Sequence, residues 1–227
     1  MYKVASGDLK SSPLLKYIAE TGKPILLSTG GGEMEDVERA YDTITNINPN
    51  LAILQCTAAY PCEPDEMNLN VISTFREKFK DIVIGLSDHQ SGISMALVAF
   101  TLGARIVEKH FTLRRADGGV DSAFSLEPEE MKQLVIETER AWQSLGQVKY
   151  GSTKAEKGSL TFRRSLYIAE DMKKGDVLNE QNLRIVRPGL GLEPKYYDIL
   201  LGRKVSRDVK KGTALSTSAL RLVETPV

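Results

Sequence analysis

Ile82-Val-Ile-Gly-Leu-Ser-Asp-His89 and Ala104-Arg-Ile-Val-Glu-Lys-His-Phe111 each run from apolar residues into ionisable ones. Each carries one of the chain's two histidines, which lie twenty-one residues apart. A short apolar run ending in polar groups describes the C-terminal end of a buried parallel strand, where parallel α/β folds place their chemistry. Two neutral imidazoles on neighbouring strand ends suit one divalent metal. Two unrelated histidines, each satisfied by its own hydrogen bond, suit the same spacing, because two ligands alone do not make a site.

Working outward, the same grammar repeats. Tyr2-Lys-Val-Ala-Ser-Gly reads as a strand end before a helix near Pro13 to Thr21, and Pro24-Ile-Leu-Leu-Ser-Thr-Gly as a strand before a helix from Met34 to Ile47. Leu51-Ala-Ile-Leu-Gln-Cys-Thr is a third strand, with its helix around Leu69 to Phe79. An apolar helix from Ile93 to Leu102 separates the two histidine strands, and a last helix from Pro128 to Leu145 opens on Glu127-Pro-Glu-Glu, an acidic start suited to the helix dipole. Five strand–helix units in series predict a parallel sheet, in a barrel or an open sheet.

The texture changes after Gly146. Residues 147–162 are rich in Lys, Gly, Ser and Thr and read as a linker. Beyond them come short segments, Ser165-Leu-Tyr-Ile-Ala, Val177-Leu, Leu183-Arg-Ile-Val-Arg and Val205-Ser-Arg-Asp-Val, punctuated by Lys173-Lys-Gly-Asp and Lys210-Lys-Gly-Thr, about 37 residues apart. That spacing suggests a pseudo-repeat within a small β-rich second domain at 163–227, after a first domain at 1–146.

Composition excludes some classes of function. Thirty basic residues balance thirty acidic ones, so no electrostatic footprint for nucleic acid or an anionic membrane exists. No apolar run approaches the roughly 20 residues that span a bilayer. Cys56 and Cys62 make no disulfide framework, and reduced thiols in a cytoplasmic protein are expected. Lys3, Ser6, Ser28-Thr29-Gly30, Thr57 and Ser87 offer an ammonium, hydroxyls and backbone donors at successive strand ends. Facing inward on a barrel rim they would converge on a phosphate or carboxylate, although such residues also end strands for purely local reasons.

Lys3-Val-Ala-Ser-Gly-Asp, Leu27-Ser-Thr-Gly, Leu54-Gln-Cys-Thr-Ala-Ala-Tyr-Pro, Gly85-Leu-Ser-Asp-His, Glu108-Lys-His-Phe-Thr-Leu and Phe124-Ser-Leu-Glu-Pro resemble the sialic acid synthase family. Ser165-Leu-Tyr, Asp171-Met-Lys-Lys-Gly-Asp, Asn182-Leu-Arg and Arg187-Pro-Gly-Leu-Gly-Leu resemble the antifreeze-like (SAF, β-clip) domain of those enzymes. The resemblance implies the last five strand–helix units of a TIM (β/α)8 barrel plus that module. It also implies condensation of phosphoenolpyruvate with an N-acetylated amino sugar and release of phosphate. His89 and His110 match metal-binding histidines, usually for manganese, with magnesium or cobalt accepted. Lys3, Ser6, Ser28 and Ser87 match residues that hold phosphoenolpyruvate, and Tyr60 and Asp121 match sugar contacts. Asp8 stands where relatives place a sugar-binding Glu, and Ala58 where many have Ser or Asn. Arg187 matches an arginine that one subunit of a domain-exchanged homodimer inserts into the other's active site.

Two branches compete. Gln55-Cys-Thr-Ala-Ala-Tyr-Pro and Asn48-Pro-Asn look like N-acetylneuraminate synthases, which take N-acetylmannosamine. Ala116-Asp-Gly-Gly-Val-Asp-Ser-Ala-Phe-Ser-Leu-Glu-Pro and Phe162-Arg-Arg-Ser-Leu-Tyr look more like pseudaminic acid synthases, which take a 2,4-diacetamido-2,4,6-trideoxy-altrose. One departure matters more: a complete barrel of this family has eight strands, and the expected chain begins at the fourth. A Glu, a Lys and a Thr of the active site should lie on the first three. A reading from another class is therefore a catalytically incomplete fragment whose SAF module binds sugar or forms dimers.

Overall fold

A computed structural model describes residues 1–220, which fall into two compact units that divide after Gln147. In the first unit, strands β1 (Tyr2–Val4), β2 (Ile25–Ser28), β3 (Leu51–Cys56), β4 (Val83–Asp88) and β5 (Ile106–Lys109) pair in sequence order, all parallel. Helices α1 (Ser12–Glu20), α2 (Met34–Thr45), α3 (Val71–Lys78) and α4 (Ser94–Thr101) connect them, and α5 (Pro128–Leu145) follows β5. Every residue of β3 is buried, as expected of a central strand covered on both faces. Leu27, Ile53 and Leu86 from the sheet pack with Leu15, Ile44 and Ile72 from the helices in one core.

Helix starts follow local chemistry. Glu33 and Asp36 close a capping box at α2, and Glu127 and Glu130 close another at α5, so backbone donors at each N-terminus meet carboxylates. Pro128 occupies the first turn of α5, where its missing N–H matters least. The expected helices are all present, with ends displaced by at most two or three residues.

One ion pair decides between open sheet and barrel. Five strands spaced about 4.8 Å apart would put the first and last roughly 19 Å apart if flat. Yet Lys3 Nζ on β1 lies 3.3 Å from Glu108 Oε1 on β5. The sheet curls, and its inner face is the concave side of a half-barrel.

The second unit contains one antiparallel pair, β6 (Ser165–Ile168) with β7 (Leu183–Val186), and a short helix α6 (Tyr197–Leu200). The expected strands at Val177 and Val205 are isolated bridges instead, Val177 to Lys204 and Val205 to Leu220. In the two Lys-Lys-Gly turns Gly175 and Gly212 adopt φ of 98° and 83°, a region that favours glycine. The turns are related by a reciprocal exchange. Asp208 accepts from the Lys174 N–H at 2.9 Å and pairs with Lys173 Nζ at 3.0 Å. Asp171 accepts from the Lys211 N–H at 2.9 Å and pairs with Lys210 Nζ at 2.6 Å. Met172 and Val209 exchange both backbone hydrogen bonds between them at 2.9 Å. Within residues 147–162, read as linker, Ala155–Phe162 forms a 3-10 run. Thr153 and Glu156 cap it by bonding to each other's backbone N–H at 3.3 and 2.7 Å, a signal that composition alone obscures. Arg187 follows β7 and is exposed; residues 221–227 of the expected second domain lie outside the described residues.

Candidate active site

His89 follows the last residue of β4 and His110 the last residue of β5, and their ring centroids lie 5.2 Å apart. The Tyr60 ring stacks on His89 at 4.1 Å and meets His110 edge-on at 5.7 Å, while Phe124 closes on His110 at 5.0 Å. His89 Nδ1 lies 3.0 Å from the Thr57 carbonyl oxygen. A carbonyl can only accept, so Nδ1 carries the proton and Nε2 keeps its lone pair. Burial lowers the pKa of His89, with the neighbouring His110 adding to the effect and the Thr57 hydrogen bond opposing it. His110 Nδ1 lies 3.5 Å from Asp121 Oδ2.

These donors fit a divalent metal in one specific sense. Among the described residues no set of three or more His, Cys, Asp or Glu side chains forms a metal cage. Two imidazoles, with Nδ1 of His89 committed to the Thr57 carbonyl, are too few for a structural site. They suit a catalytic one, in which substrate oxygens and water complete the shell.

Of the polar strand-end residues, Lys3 and Ser87 meet at one partner, whereas Ser6, Ser28 and Thr57 do not join them. Glu108 accepts from Ser87 Oγ at 2.8 Å and pairs with Lys3 Nζ, joining β1, β4 and β5 across the concave face. Ser6 Oγ accepts from the Gly30 N–H at 2.9 Å and lies 3.4 Å from Cys56 Sγ. Ser28 is 1% exposed, and its hydroxyl is the buried side-chain polar atom left without a partner among the described residues. Thr57 differs from expectation: its hydroxyl already donates to the Glu66 carbonyl at 3.2 Å, and its carbonyl orients His89. Asp8 is exposed in a 3-10 turn, Ser6–Asp8.

The sequence reading passed over Glu108, Asp88, Lys109 and Gln90. Glu108 was findable. Ser87 precedes His89 by two residues, Glu108 precedes His110 by two, and residues two apart share a strand face. A cavity of about 220 Å³ is bounded by Asp88, His89, Glu108, Lys109 and His110. A larger one of about 640 Å³, among Thr29, Met34, Cys56, Val71 and Phe75, holds neither histidine; the ionisable groups mark the smaller as the candidate site. Cys56 and Cys62 are buried and unpaired, and no helix among the described residues is long and apolar enough to cross a membrane.

Paired imidazoles, an ammonium and hydroxyls at the C-terminal ends of curled parallel strands define the class: part of a (β/α) barrel, in one chain with a small β module. The chain belongs to the NeuB family, which matches residues 1–150, and carries an SAF domain at residues 163–221. It is 39% identical over 221 residues to pseudaminic acid synthase of Campylobacter jejuni, covering 97% of this chain and 64% of that one. The chain thus spans just under two thirds of that relative's length. It is 32% identical to the spore coat polysaccharide biosynthesis protein SpsE of Bacillus subtilis, with a TM-score of 0.61 over 98% of this chain and 68% of that one. N-acetylneuraminic acid synthetase of Leptospira borgpetersenii is 35% identical, with a TM-score of 0.64 over 70% of this chain and 55% of that one.

Proposed function

We propose that this chain serves a nonulosonic acid synthase, which condenses phosphoenolpyruvate with an N-acetylated amino sugar and releases phosphate. The observation that carries the reading is the pair of imidazoles 5.2 Å apart at the ends of β4 and β5, with a buried, unpartnered serine hydroxyl at the end of β2. The 39% identity to a pseudaminic acid synthase favours the 2,4-diacetamido-2,4,6-trideoxy sugar over N-acetylmannosamine.

The reaction joins the alkene carbon of phosphoenolpyruvate to the sugar aldehyde carbon, adds water at the former enol carbon and expels phosphate with carbon–oxygen cleavage. Manganese, or magnesium or cobalt, held by Nε2 of His89 and of His110, would polarise the aldehyde as a Lewis acid. Lys3 supplies the cation for the anionic substrate, and Ser6, Ser28 and Ser87 supply hydroxyl donors around it. Glu108 holds Lys3 and Ser87 in place before substrate arrives. Tyr60, Asp121 and Asp8 contact the sugar, and Asp121 also orients His110 through Nδ1. Tyr60 and Phe124 shield the imidazoles from water and so sharpen the electrostatics of the site. Arg187, from the partner in a domain-exchanged homodimer, fixes the sugar by a charge-assisted hydrogen bond; Arg187→Ala is expected to raise the sugar KM or abolish turnover.

The test uses phosphoenolpyruvate carrying 18O in its bridging enol oxygen, with Mn2+ and each sugar in turn. The label is expected in the released phosphate, with the diacetamido sugar turning over faster. Label retained in the sugar acid, or no phosphate release with either sugar, would refute the reading.

A further inference from the structure

Asp88 and Lys109 are directly paired residues in the β4–β5 register, and each immediately precedes one of the two histidines. Strand alternation sends their side chains to the opposite face from those of Ser87 and Glu108. Their side chains are each 1% exposed, with Lys109 Nζ 2.9 Å from Asp88 Oδ2. A charge pair taken this far out of water is no better for stability than two well-packed apolar side chains, because desolvation offsets the attraction. Stability alone therefore does not account for it.

What the pair supplies is direction. The Lys109 ammonium also donates to the Gln90 carbonyl, and Asp88 Oδ1 accepts from the Gln90 N–H at 2.8 Å. Gln90 Nε2 in turn donates to the Cys62 carbonyl at 2.6 Å, in the loop that brings Tyr60 against His89. One buried network thus ties the end of β5, the first residues beyond β4 and the loop beyond β3. Those are the three segments that carry His110, His89 and Tyr60. An apolar pair would fill the same volume without fixing the Gln90 backbone from either side.

We infer that Asp88 and Lys109 form a positioning clamp, which acts through the backbone to hold the two imidazoles at metal-binding separation. The inference rests on the reading of His89 and His110 as the metal pair, and deepens it.

The test compares the parent chain with Asp88→Val/Lys109→Met, which replaces the pair by apolar side chains close to them in size, and with Asp88→Asn, which keeps the bond to Gln90 and removes the charge. Folding is followed by circular dichroism. Mn2+ binding is measured by depletion of the free-ion electron paramagnetic resonance signal, with metal alone. The metal-free ring arrangement is followed by nuclear Overhauser contacts among His89, His110 and Tyr60. The double variant is expected to fold at least as stably as the parent while losing about 10- to 100-fold in Mn2+ affinity, as outer partners of metal ligands do. Asp88→Asn is expected to lose less. A double variant that binds Mn2+ as the parent does would overturn the clamp. If the parent binds no Mn2+, the metal reading fails and the metal-free spectra decide. Contacts between the rings lost in the double variant, or in Asp88→Asn where the double variant does not fold, support the clamp; unchanged contacts overturn it.

Discussion

Replacing Gly85 by Ala sets two effects of opposite sign against each other at the centre of the site's scaffold. Gly85 pairs with Leu54 on one side and Ile106 on the other. A Cβ added there would lie 2.6 Å from the Ile106 carbonyl oxygen and 2.5 Å from Leu54 Cδ2. The leucine methyl can rotate away, but the carbonyl belongs to the neighbouring strand. Ordinary C···O contacts begin near 3.3 Å, so β4 and β5 must separate by about 0.7 Å. Alanine in an unstrained strand gains about 0.5–1 kcal/mol over glycine. Overpacking costs about 1–3 kcal/mol, and a stretched ladder hydrogen bond adds about 1 kcal/mol. The balance is a net loss of about 1–3.5 kcal/mol, or roughly 0.5–1.8 M in urea midpoint at a slope near 2 kcal/mol per M. The single tryptophan, Trp142 on α5, reports the first unit alone by fluorescence. Gly7→Ala is the control, since a Cβ there meets nothing within 4 Å, and its midpoint is expected to hold or rise slightly. A Gly85→Ala midpoint at or above the parent's would show that the two strands are not packed as tightly as the structure requires.

Three further outcomes follow from the site. Ser28→Ala removes a buried hydroxyl that has no partner, so the thermal midpoint should hold or rise while phosphoenolpyruvate binding weakens; calorimetry that found lower stability with intact binding would contradict this. His89 has a folded pKa below the roughly 6.5 of an exposed imidazole, so the unfolded chain takes the proton first. In the metal-free chain its contribution to stability is complete above about pH 6.5 and is lost as pH falls through the folded value; His89→Gln should flatten that slope in denaturant midpoints between pH 5 and 8. Burial raises the pKa of the Cys62 thiol, so iodoacetamide at pH 8 should leave it unmodified until the chain unfolds, as peptide mapping would show.

The residues facing the site were legible because their types declare them. A histidine, a lysine or a serine at the end of an apolar run is unusual enough to be read without coordinates, and five such ends also gave the parallel sheet. Its curl was legible only through the family resemblance, since short apolar strands covered by helices suit both open sheets and barrels. The Lys3–Glu108 contact across the concave face bears that expectation out. The second unit was read as β-rich from its short segments and recurring Lys-Lys-Gly turns, but the segments at Val177 and Val205 make single bridges.

Asp88 and Lys109 stayed hidden for a different reason, which concerns register. In sequence they are a charged residue beside each histidine and look like solvated neighbours. They become a buried pair only because Asp88 is aligned with Lys109 and Ser87 with Glu108. A slip of one residue would set Asp88 against Glu108 or His110 and turn every side chain beyond it to the wrong face. That register passes through Gly85 and Ile106, where the closest approach between β4 and β5 leaves no room for a Cβ. The glycine lets the strands meet, the register then opposes the two charges, and the charges tie the backbone that carries the imidazoles. Local pattern reveals the last link of that chain and none of the earlier ones. The expectation is that loosening Gly85, which shares a strand face with Ser87 and His89, disturbs the histidine pair.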